Sequence, residues 1–125
     1  MTKLNDRPKA VITGGGSGLG RAFALALAKR RGHVMIADLN VERATETAEL
    51  VAQAGGVGAV RRCDVGDAED VRALAQASVN ELGRIDLLVN NAGIAVAGQV
   101  GDASLEDWER ALRVNLWGVI HGCHA

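Results

Sequence analysis

The chain has 125 residues, of which 48% are hydrophobic and 23% are charged, and its formal net charge is −1. This length and balance predict one globular domain and argue against a disordered chain, a nucleic-acid partner or a membrane-spanning protein. The N-terminal residues lack the apolar segment of a secretory signal, and the two cysteines, Cys63 and Cys123, form no C-x-x-C pair. We therefore expect a cytoplasmic protein without metal or disulfide chemistry.

The first predicted unit is a strand, a glycine-rich turn and a helix. Residues 9–13 form a short apolar run between Pro8 and glycine, which predicts a buried strand. A turn over residues 14–20 follows and leads into a helix over residues 18–31, with Gly32 as its stop. Because a turn with so little side chain lets an anion approach the backbone and the helix N-terminus, it predicts a diphosphate site. The alternative is a tight connection that binds nothing.

Three more strands alternate with helices along the chain. The strands are predicted at residues 33–37, 58–63 and 85–90, and the helices between them begin at Asn40 and Asp67 and end at Gly55 and Gly83. The two arginines in the third strand suit the edge of a sheet. Residues 94–103 show no clear period and predict a loop.

A last helix is predicted from the N-cap Ser104 to the end of the chain. Its apolar side carries Trp108, Leu112 and Val119, whereas a narrow side carries the small residues Ala111, Asn115, Gly118 and Gly122. This alternation of strands and helices predicts a doubly wound parallel α/β sheet of the Rossmann type, with strand order 3-2-1-4 and one domain over residues 1–125. The order reverses between the first and fourth strands, so residues 14–20 and 90–93 would face each other across a ligand-binding crevice.

Asp38, at the end of the second strand, bears on which dinucleotide the crevice would take. A carboxylate there can accept hydrogen bonds from a ribose diol and would repel a 2′-phosphate. The alternative is an ordinary turn aspartate. The glycine turn itself contains no basic residue, and Arg43 lies one helical turn further on. The sequence therefore predicts NAD rather than NADP.

Taken together, the motifs Thr13-Gly14-x-x-x-Gly18-x-Gly20, Asp38, Asp64-Val65, Asn90-Asn91-Ala92-Gly93 and Asn115 resemble those of the N-terminal half of the short-chain dehydrogenase/reductase family. The resemblance covers residues 9–123 and implies NAD-dependent hydride transfer between an alcohol or carbonyl substrate and nicotinamide. The cofactor-binding residues that it implies are Gly14, Ser17, Gly18, Leu19, Gly20, Asp38, Asp64, Val65, Asn91, Ala92 and Gly93. Asn90 is expected to be mainly structural, and the full-length protein is expected to be a homo-oligomer.

Asn115 is open to two interpretations. Asparagine is a poor helix former, and from its spacing alone a satisfied core amide or a kink is favoured. The family resemblance instead implies that Asn115 helps to position a water in a proton relay to a catalytic lysine. The histidines, including His121 and His124 near the chain end, are too few and too far from carboxylates to predict a metal site.

The family's Tyr-x-x-x-Lys segment has no counterpart, because the sequence contains no tyrosine. We therefore expect a fragment or truncated reading frame that is catalytically inactive, with a fourth strand left as an open apolar edge prone to aggregation. One alternative is a non-catalytic, truncated nucleotide-binding module. Another is a methyltransferase with a similar glycine turn, which the segment 90–93 and Asn115 disfavour.

Overall fold

The computed structural model describes residues 3–125, and its centre is a parallel sheet of four strands. The strands are β1 (Lys9–Thr13), β2 (His33–Asp38), β3 (Val57–Arg62) and β4 (Leu87–Val89). They lie in the order β3-β2-β1-β4, which confirms the predicted order. β3 is an edge strand, as its two arginines predicted.

Helices cover both faces of the sheet and bury its apolar side chains in two layers. The elements are α1 (Gly18–Ala28), α2 (Val41–Gln53), α3 (Ala68–Leu82), α4 (Leu105–Leu112), a π-helical turn (Arg113–Trp117) and α5 (Gly118–His124). Neighbouring residues of β1 point to opposite faces, so Ile12 packs with Val51 of α2 while Val11 packs with Leu74 of α3.

The predicted N-caps hold the starts of three helices. Asn40 accepts a hydrogen bond from the Arg43 backbone N–H, and Asp67 accepts from two backbone N–H groups of the first turn of α3. Ser104 and Asp107 form a reciprocal capping box at the start of α4. These side chains satisfy N–H groups that a helix leaves without partners.

The end of α1 differs from the prediction. The helix ends at Ala28, three residues before the predicted residue 31, and Arg31 rather than the following glycine adopts a positive φ of 57°. Gly32 is required for space, since a Cβ there would lie 2.8 Å from the Leu27 carbonyl oxygen.

The last helix also differs, because the π-helical turn Arg113–Trp117 interrupts what the sequence predicted as one continuous helix. Its small-residue side faces the domain: a Cβ on Gly118 would lie 2.7 Å from Val65 Cγ2. Its apolar side instead faces outward, and Trp108 and Leu112 are 57% and 51% exposed. Only residues without bulky side chains allow this close approach, so small size determines the buried face here.

Strand β4 is shorter than the six residues predicted for it. It pairs with β1 from Ala10↔Leu87 to Ile12↔Val89, and within residues 3–125 no strand pairs with its other edge. Leu88 on this strand is 37% exposed. Across the same described residues, no helix is long and apolar enough to cross a membrane.

Candidate functional site

The carboxyl ends of the central strands border a cleft of about 510 Å³. Nine of the predicted cofactor-binding residues line it, namely Gly14, Ser17, Leu19, Asp38, Asp64, Val65, Asn91, Ala92 and Gly93. Gly18 and Gly20 do not line it directly but shape the turn that forms its floor. The fold therefore brings together residues that are far apart in the sequence, such as Gly14 and Gly93, which are separated by 79 positions.

The glycines of the turn are needed for different physical reasons. A Cβ on Gly20 would lie 2.2 Å from the Gly14 carbonyl oxygen, and a Cβ on Gly14 would lie 2.8 Å from Ala92 Cα. Side chains at these two positions would push the turn apart from α1 and from the segment after β4. Gly18 has a φ of +55°, and a Cβ there would meet nothing within 4 Å. Its backbone is therefore open to an incoming group.

The N-terminus of α1 can receive an anion. Ser17 occupies the N-cap position with an extended backbone, but within residues 3–125 no side chain caps the helix and its first turn holds no acidic residue. The free N–H groups and the positive end of the helix dipole favour a negatively charged oxygen at this position. A cradle of this kind, lined by Ser17 and Leu19, fits the diphosphate of a dinucleotide.

Asp38 supports the turn and also faces the cleft. Its Oδ2 accepts a hydrogen bond from the Gly16 N–H at 2.9 Å, and its Oδ1 accepts one from the Asn40 N–H at 2.9 Å. An ionised carboxylate has about four acceptor positions, so it can accept further hydrogen bonds from a diol. The half-buried Asp38 is therefore both fixed in place and able to bind a ribose.

Asp64 and Val65 form the wall of the cleft at the end of β3. Asp64 Oδ1 accepts a hydrogen bond from the Gly66 N–H at 2.9 Å, and the Asp64 N–H donates to Asp70 Oδ2 at 2.9 Å. The Val65 carbonyl pairs with His121 Nδ1 at 2.8 Å. This last contact joins the wall to α5, a connection that the sequence pattern did not reveal.

Asn91 holds the glycine turn against the end of β4. Its Nδ2 donates to the carbonyl oxygens of Thr13 at 3.0 Å and of Gly14 at 3.1 Å. The buried hydroxyl of Thr13 accepts from the backbone N–H groups of Asn91 and Ala92, each at 3.1 Å. The side-chain amide of Asn91 thus has a structural role, whereas the sequence predicts such a role mainly for its neighbour Asn90.

Asn90 lies between the end of β4 and α5. Its Nδ2 lies 3.6 Å from Cys123 Sγ, and its buried Oδ1 has no hydrogen-bond partner among residues 3–125. A Cβ on Gly122 would lie 2.1 Å from that same oxygen. Asn90 therefore fills the space between the end of β4 and α5.

Asn115 lies in the π-helical turn and is bonded at both ends of its amide. Its Oδ1 accepts from the Ile94 N–H at 2.8 Å, and its Nδ2 donates to the Ile94 carbonyl at 2.7 Å. Its side chain therefore ties the loop after β4 to the last helix. The amide is satisfied, as the spacing favoured, but Asn115 is exposed rather than in the core. The relay role implied by the family resemblance stays a prediction.

The sequence pattern did not predict the roles of two arginines beside the cleft. Arg21 Nη2 donates to the Gly16 carbonyl at 2.7 Å and forms an ion pair with Glu46 at 3.0 Å, while its Nε donates to Thr47 Oγ1 at 2.9 Å. It therefore fastens α2 to the glycine turn. Arg43 lines the cleft itself. Neither role follows from spacing within one helix, because each depends on how α2 packs beside the turn.

Cys63 also lines the cleft but is only 3% exposed. Burial, followed by the nearby carboxylates of Asp70 and Asp64, raises the pKa of the Cys63 thiol to about 11. The thiol is therefore protonated at neutral pH and is a poor nucleophile. Within residues 3–125, no group of three or more His, Cys, Asp or Glu side chains is placed to hold a metal ion.

The doubly wound sheet and its glycine-lined cleft define the class of dinucleotide-binding α/β proteins. Residues 8–125 match the family described as short chain dehydrogenase, and the chain belongs to this family. This match decides against the methyltransferase alternative.

Several dehydrogenases are similar to this chain in sequence or in structure. D-threitol dehydrogenase of Mycolicibacterium smegmatis is 42% identical over 123 residues, which cover 96% of this chain and 46% of that protein. The crystal structure of a short chain dehydrogenase/reductase from Burkholderia phymatum in complex with NAD superposes with a TM-score of 0.91 at 36% identity, covering 98% of this chain and 44% of that one. NAD⁺-bound xylitol dehydrogenase gives a TM-score of 0.91 at 32% identity, with 99% and 48% covered. The chain thus spans less than half the length of each of these relatives.

Proposed function

We propose that this chain is the cofactor-binding part of an NAD-dependent oxidoreductase, which transfers a hydride between an alcohol or carbonyl substrate and nicotinamide. The observation that carries the proposal is the cleft, where an uncapped helix N-terminus and the Asp38 carboxylate lie on either side of a glycine turn. These two features match the diphosphate and the adenosine ribose of a dinucleotide.

The remaining cleft residues supply the other contacts. Asp64 and the backbone of Val65 are placed to border the adenine, and the segment 91–93 lines the opposite wall. Because the amide of Asn91 is already bonded to Thr13 and Gly14, we propose that the contact of this segment with the cofactor runs through the backbone of Ala92 and Gly93. The bound dinucleotide would supply the hydride acceptor or donor, and these residues hold its adenosine end.

NAD rather than NADP follows from the charge of Asp38. A carboxylate that accepts from the Gly16 N–H cannot swing away from the ribose position without breaking that bond. A 2′-phosphate would therefore meet a fixed negative charge. The relatives solved with NAD support this choice as an analogy.

The proposal can be tested by calorimetric titration of the 125-residue chain with NAD⁺, ADP-ribose and nicotinamide mononucleotide. Since we propose that the cleft residues contact only the adenosine diphosphate half, ADP-ribose should bind within a fewfold of NAD⁺, and the mononucleotide should not bind measurably. A folded chain that binds neither NAD⁺ nor ADP-ribose would refute the proposal. Circular dichroism confirms folding in the same samples.

A second candidate function is a nucleotide-binding module without catalysis, and the absence of tyrosine from the sequence favours it for the 125-residue chain itself. We expect no NADH turnover with simple alcohols and ketones in a spectrophotometric assay. Measurable turnover would show that other groups replace the Tyr-x-x-x-Lys segment. For the NAD-dependent oxidoreductase of the first proposal, we further propose an alcohol or carbonyl substrate, homo-oligomer formation, a cytoplasmic location and the relay role of Asn115.

A further inference from the structure

The cleft wall formed by Asp64 and Val65 rests on the last helix. A Cβ on Gly118 would lie 2.7 Å from Val65 Cγ2, so the Val65 side chain packs directly on the helix backbone. A Cβ on Gly66 would lie 2.9 Å from Arg113 Cγ, so the residue after Val65 is also covered from this helix. The position of the wall therefore depends on the helix behind it.

His121, one turn after Gly118, bonds the backbone of this wall. Its Nδ1 lies 2.8 Å from the Val65 carbonyl oxygen. A carbonyl oxygen can only accept a hydrogen bond, so Nδ1 carries the proton and donates it. The His121 ring also lies beside Trp117 of the same helix, with ring centroids 5.8 Å apart. The imidazole thus makes two contacts, a hydrogen bond and a ring contact, that different substitutions can remove separately.

The hydrogen bond from His121 leaves one backbone group of Val65 for a ligand. The Val65 carbonyl is engaged, whereas the Val65 N–H donates to no acceptor within residues 3–125. Beside it, the Asp64 carboxylate accepts from the Gly66 N–H and has further acceptor positions. Both residues line the cleft, so the wall offers a hydrogen-bond donor next to an acceptor.

Adenine presents the complementary pair of groups. Its Watson–Crick edge carries an amino donor beside a ring-nitrogen acceptor, and hypoxanthine reverses both. We propose that His121 is a positioning residue, whose bond to Val65 keeps the wall where it selects adenine over a base with the reversed pattern. This inference rests on the proposed function, because it assumes that the adenosine end of a dinucleotide lies at Asp64 and Val65.

The test compares NAD⁺ with nicotinamide hypoxanthine dinucleotide by calorimetric titration of the 125-residue chain. Wild type should prefer NAD⁺ about tenfold, as expected for one charge-assisted hydrogen bond. His121→Phe keeps an aromatic ring beside Trp117 but has no donor, so its preference should fall to about twofold. A merely structural loss would weaken both dinucleotides equally and leave this preference unchanged.

Two amide variants isolate the hydrogen bond from the ring. The side-chain nitrogen of asparagine is as many bonds from Cβ as Nδ1 of histidine, whereas that of glutamine is one bond further away. His121→Asn should therefore restore most of the preference for NAD⁺, and His121→Gln should not. Both variants lack the ring contact with Trp117, so the difference between them reports the donor alone.

His124→Phe is the matched control, because His124 is exposed on the same helix and its side chain forms no hydrogen bond within residues 3–125. It should change neither affinity, and circular dichroism confirms folding of every variant. A wild-type preference in His121→Phe would overturn the inference, as would asparagine and glutamine variants that behave alike. A wild type that binds NAD⁺ without preferring it also overturns the inference but leaves the proposed function standing. A folded wild type that binds neither dinucleotide removes both.

Discussion

Asn91 donates two hydrogen bonds to Thr13. The Asn91 backbone N–H donates to Thr13 Oγ1 at 3.1 Å, and the Asn91 side-chain amide donates to the Thr13 carbonyl at 3.0 Å. The two bonds fix the end of β1 relative to the end of β4, and the third contact of the amide, to the Gly14 carbonyl, carries the restraint into the glycine turn. The shape of the cleft therefore depends on a side chain at its edge.

Replacing Asn91 by aspartate should disrupt this link. A carboxylate would face the carbonyl oxygens of Thr13 and Gly14 without a proton to donate, so we expect a loss of about 2 kcal/mol in the free energy of unfolding and weaker NAD⁺ binding. Urea denaturation and calorimetry measure the two effects. Asn80→Asp on the surface of α3 is the control, since Asn80 only accepts a bond from Gln76. Equal stability of the two variants would contradict the structural role of Asn91.

The open backbone at Gly18 can be tested against a glycine of similar conformation elsewhere. Gly18 and Gly55 have φ values of +55° and +94°, and a Cβ on either would meet nothing within 4 Å. Each change to alanine should cost about 1–2 kcal/mol through backbone strain alone. Only Gly18→Ala should weaken NAD⁺ binding beyond its effect on folding, because its methyl group would occupy the open space beside the glycine turn, where we propose that the diphosphate binds. If Gly55→Ala weakens binding equally, the loss reflects stability rather than position.

The two cysteines should differ sharply in reactivity. Cys123 is exposed, whereas Cys63 is buried and burial raises its pKa to about 11. A disulfide reagent at pH 7.5 should therefore label one thiol quickly and the second only in denaturant. Cys123→Ser should abolish the fast phase, and Cys63→Ser should leave it intact. Fast labelling of Cys63 in the folded chain would show that the wall of the cleft opens readily.

Asp86 should make stability depend on pH. A hydrogen bond from Arg84, and then one from the Lys9 backbone N–H, hold the pKa of the Asp86 carboxyl below its usual range. Because the folded pKa is lower than the unfolded value of ~3.9, the stabilisation is present above that value and is lost as pH falls through the folded pKa. Asp86→Asn should thus lower the urea midpoint at pH 7, and its difference from wild type should shrink in strong acid. A difference that stays constant with pH would contradict this origin.

Comparing the stability of Asp86→Asn with that of wild type separates the effect of Asp86 from that of a second titrating group, His33. Burial lowers the pKa of His33, although Glu81 partly opposes the shift. Protonation of His33 below its ordinary value of about 6.5 should therefore destabilise both proteins alike. Only a difference in stability that is confined to the pH range in which carboxyl groups titrate can be attributed to Asp86.

Patterns within single segments predicted the strands and helices, the doubly wound arrangement predicted the sheet order, and the family resemblance implied most of the cleft residues. The apolar run of β1, the caps Asn40 and Asp67, and the glycine spacing each act locally, so the sequence shows them directly. The role of Arg21 could not be predicted in this way. Its partners, the Gly16 carbonyl and Glu46, come together only when α2 packs beside α1.

Size, rather than polarity, determines which face of the last helix is buried. Trp108 and Leu112 mark its predicted apolar side, and that side is exposed, whereas Gly118 permits contact with Val65 that no bulky residue would allow. Hydrophobic patterning measures which side chains avoid water and does not measure how closely two backbones can approach. No local pattern predicted the π-helical turn Arg113–Trp117, which contains Asn115, whose hydrogen-bond partner Ile94 lies 21 positions away.

The bonds between Thr13 and Asn91 also bear on the order of folding. They close a loop across 78 positions, so this contact forms only after the chain between them has been brought together. Bringing distant segments together costs entropy before any contact compensates for it, and such contacts slow folding. We therefore expect β1, α1 and β2 to assemble first from neighbouring sequence. The two walls of the cleft would then come together late in folding. A chain interrupted before Asn91 would lack the hydrogen bonds to Thr13 that hold the glycine turn in shape.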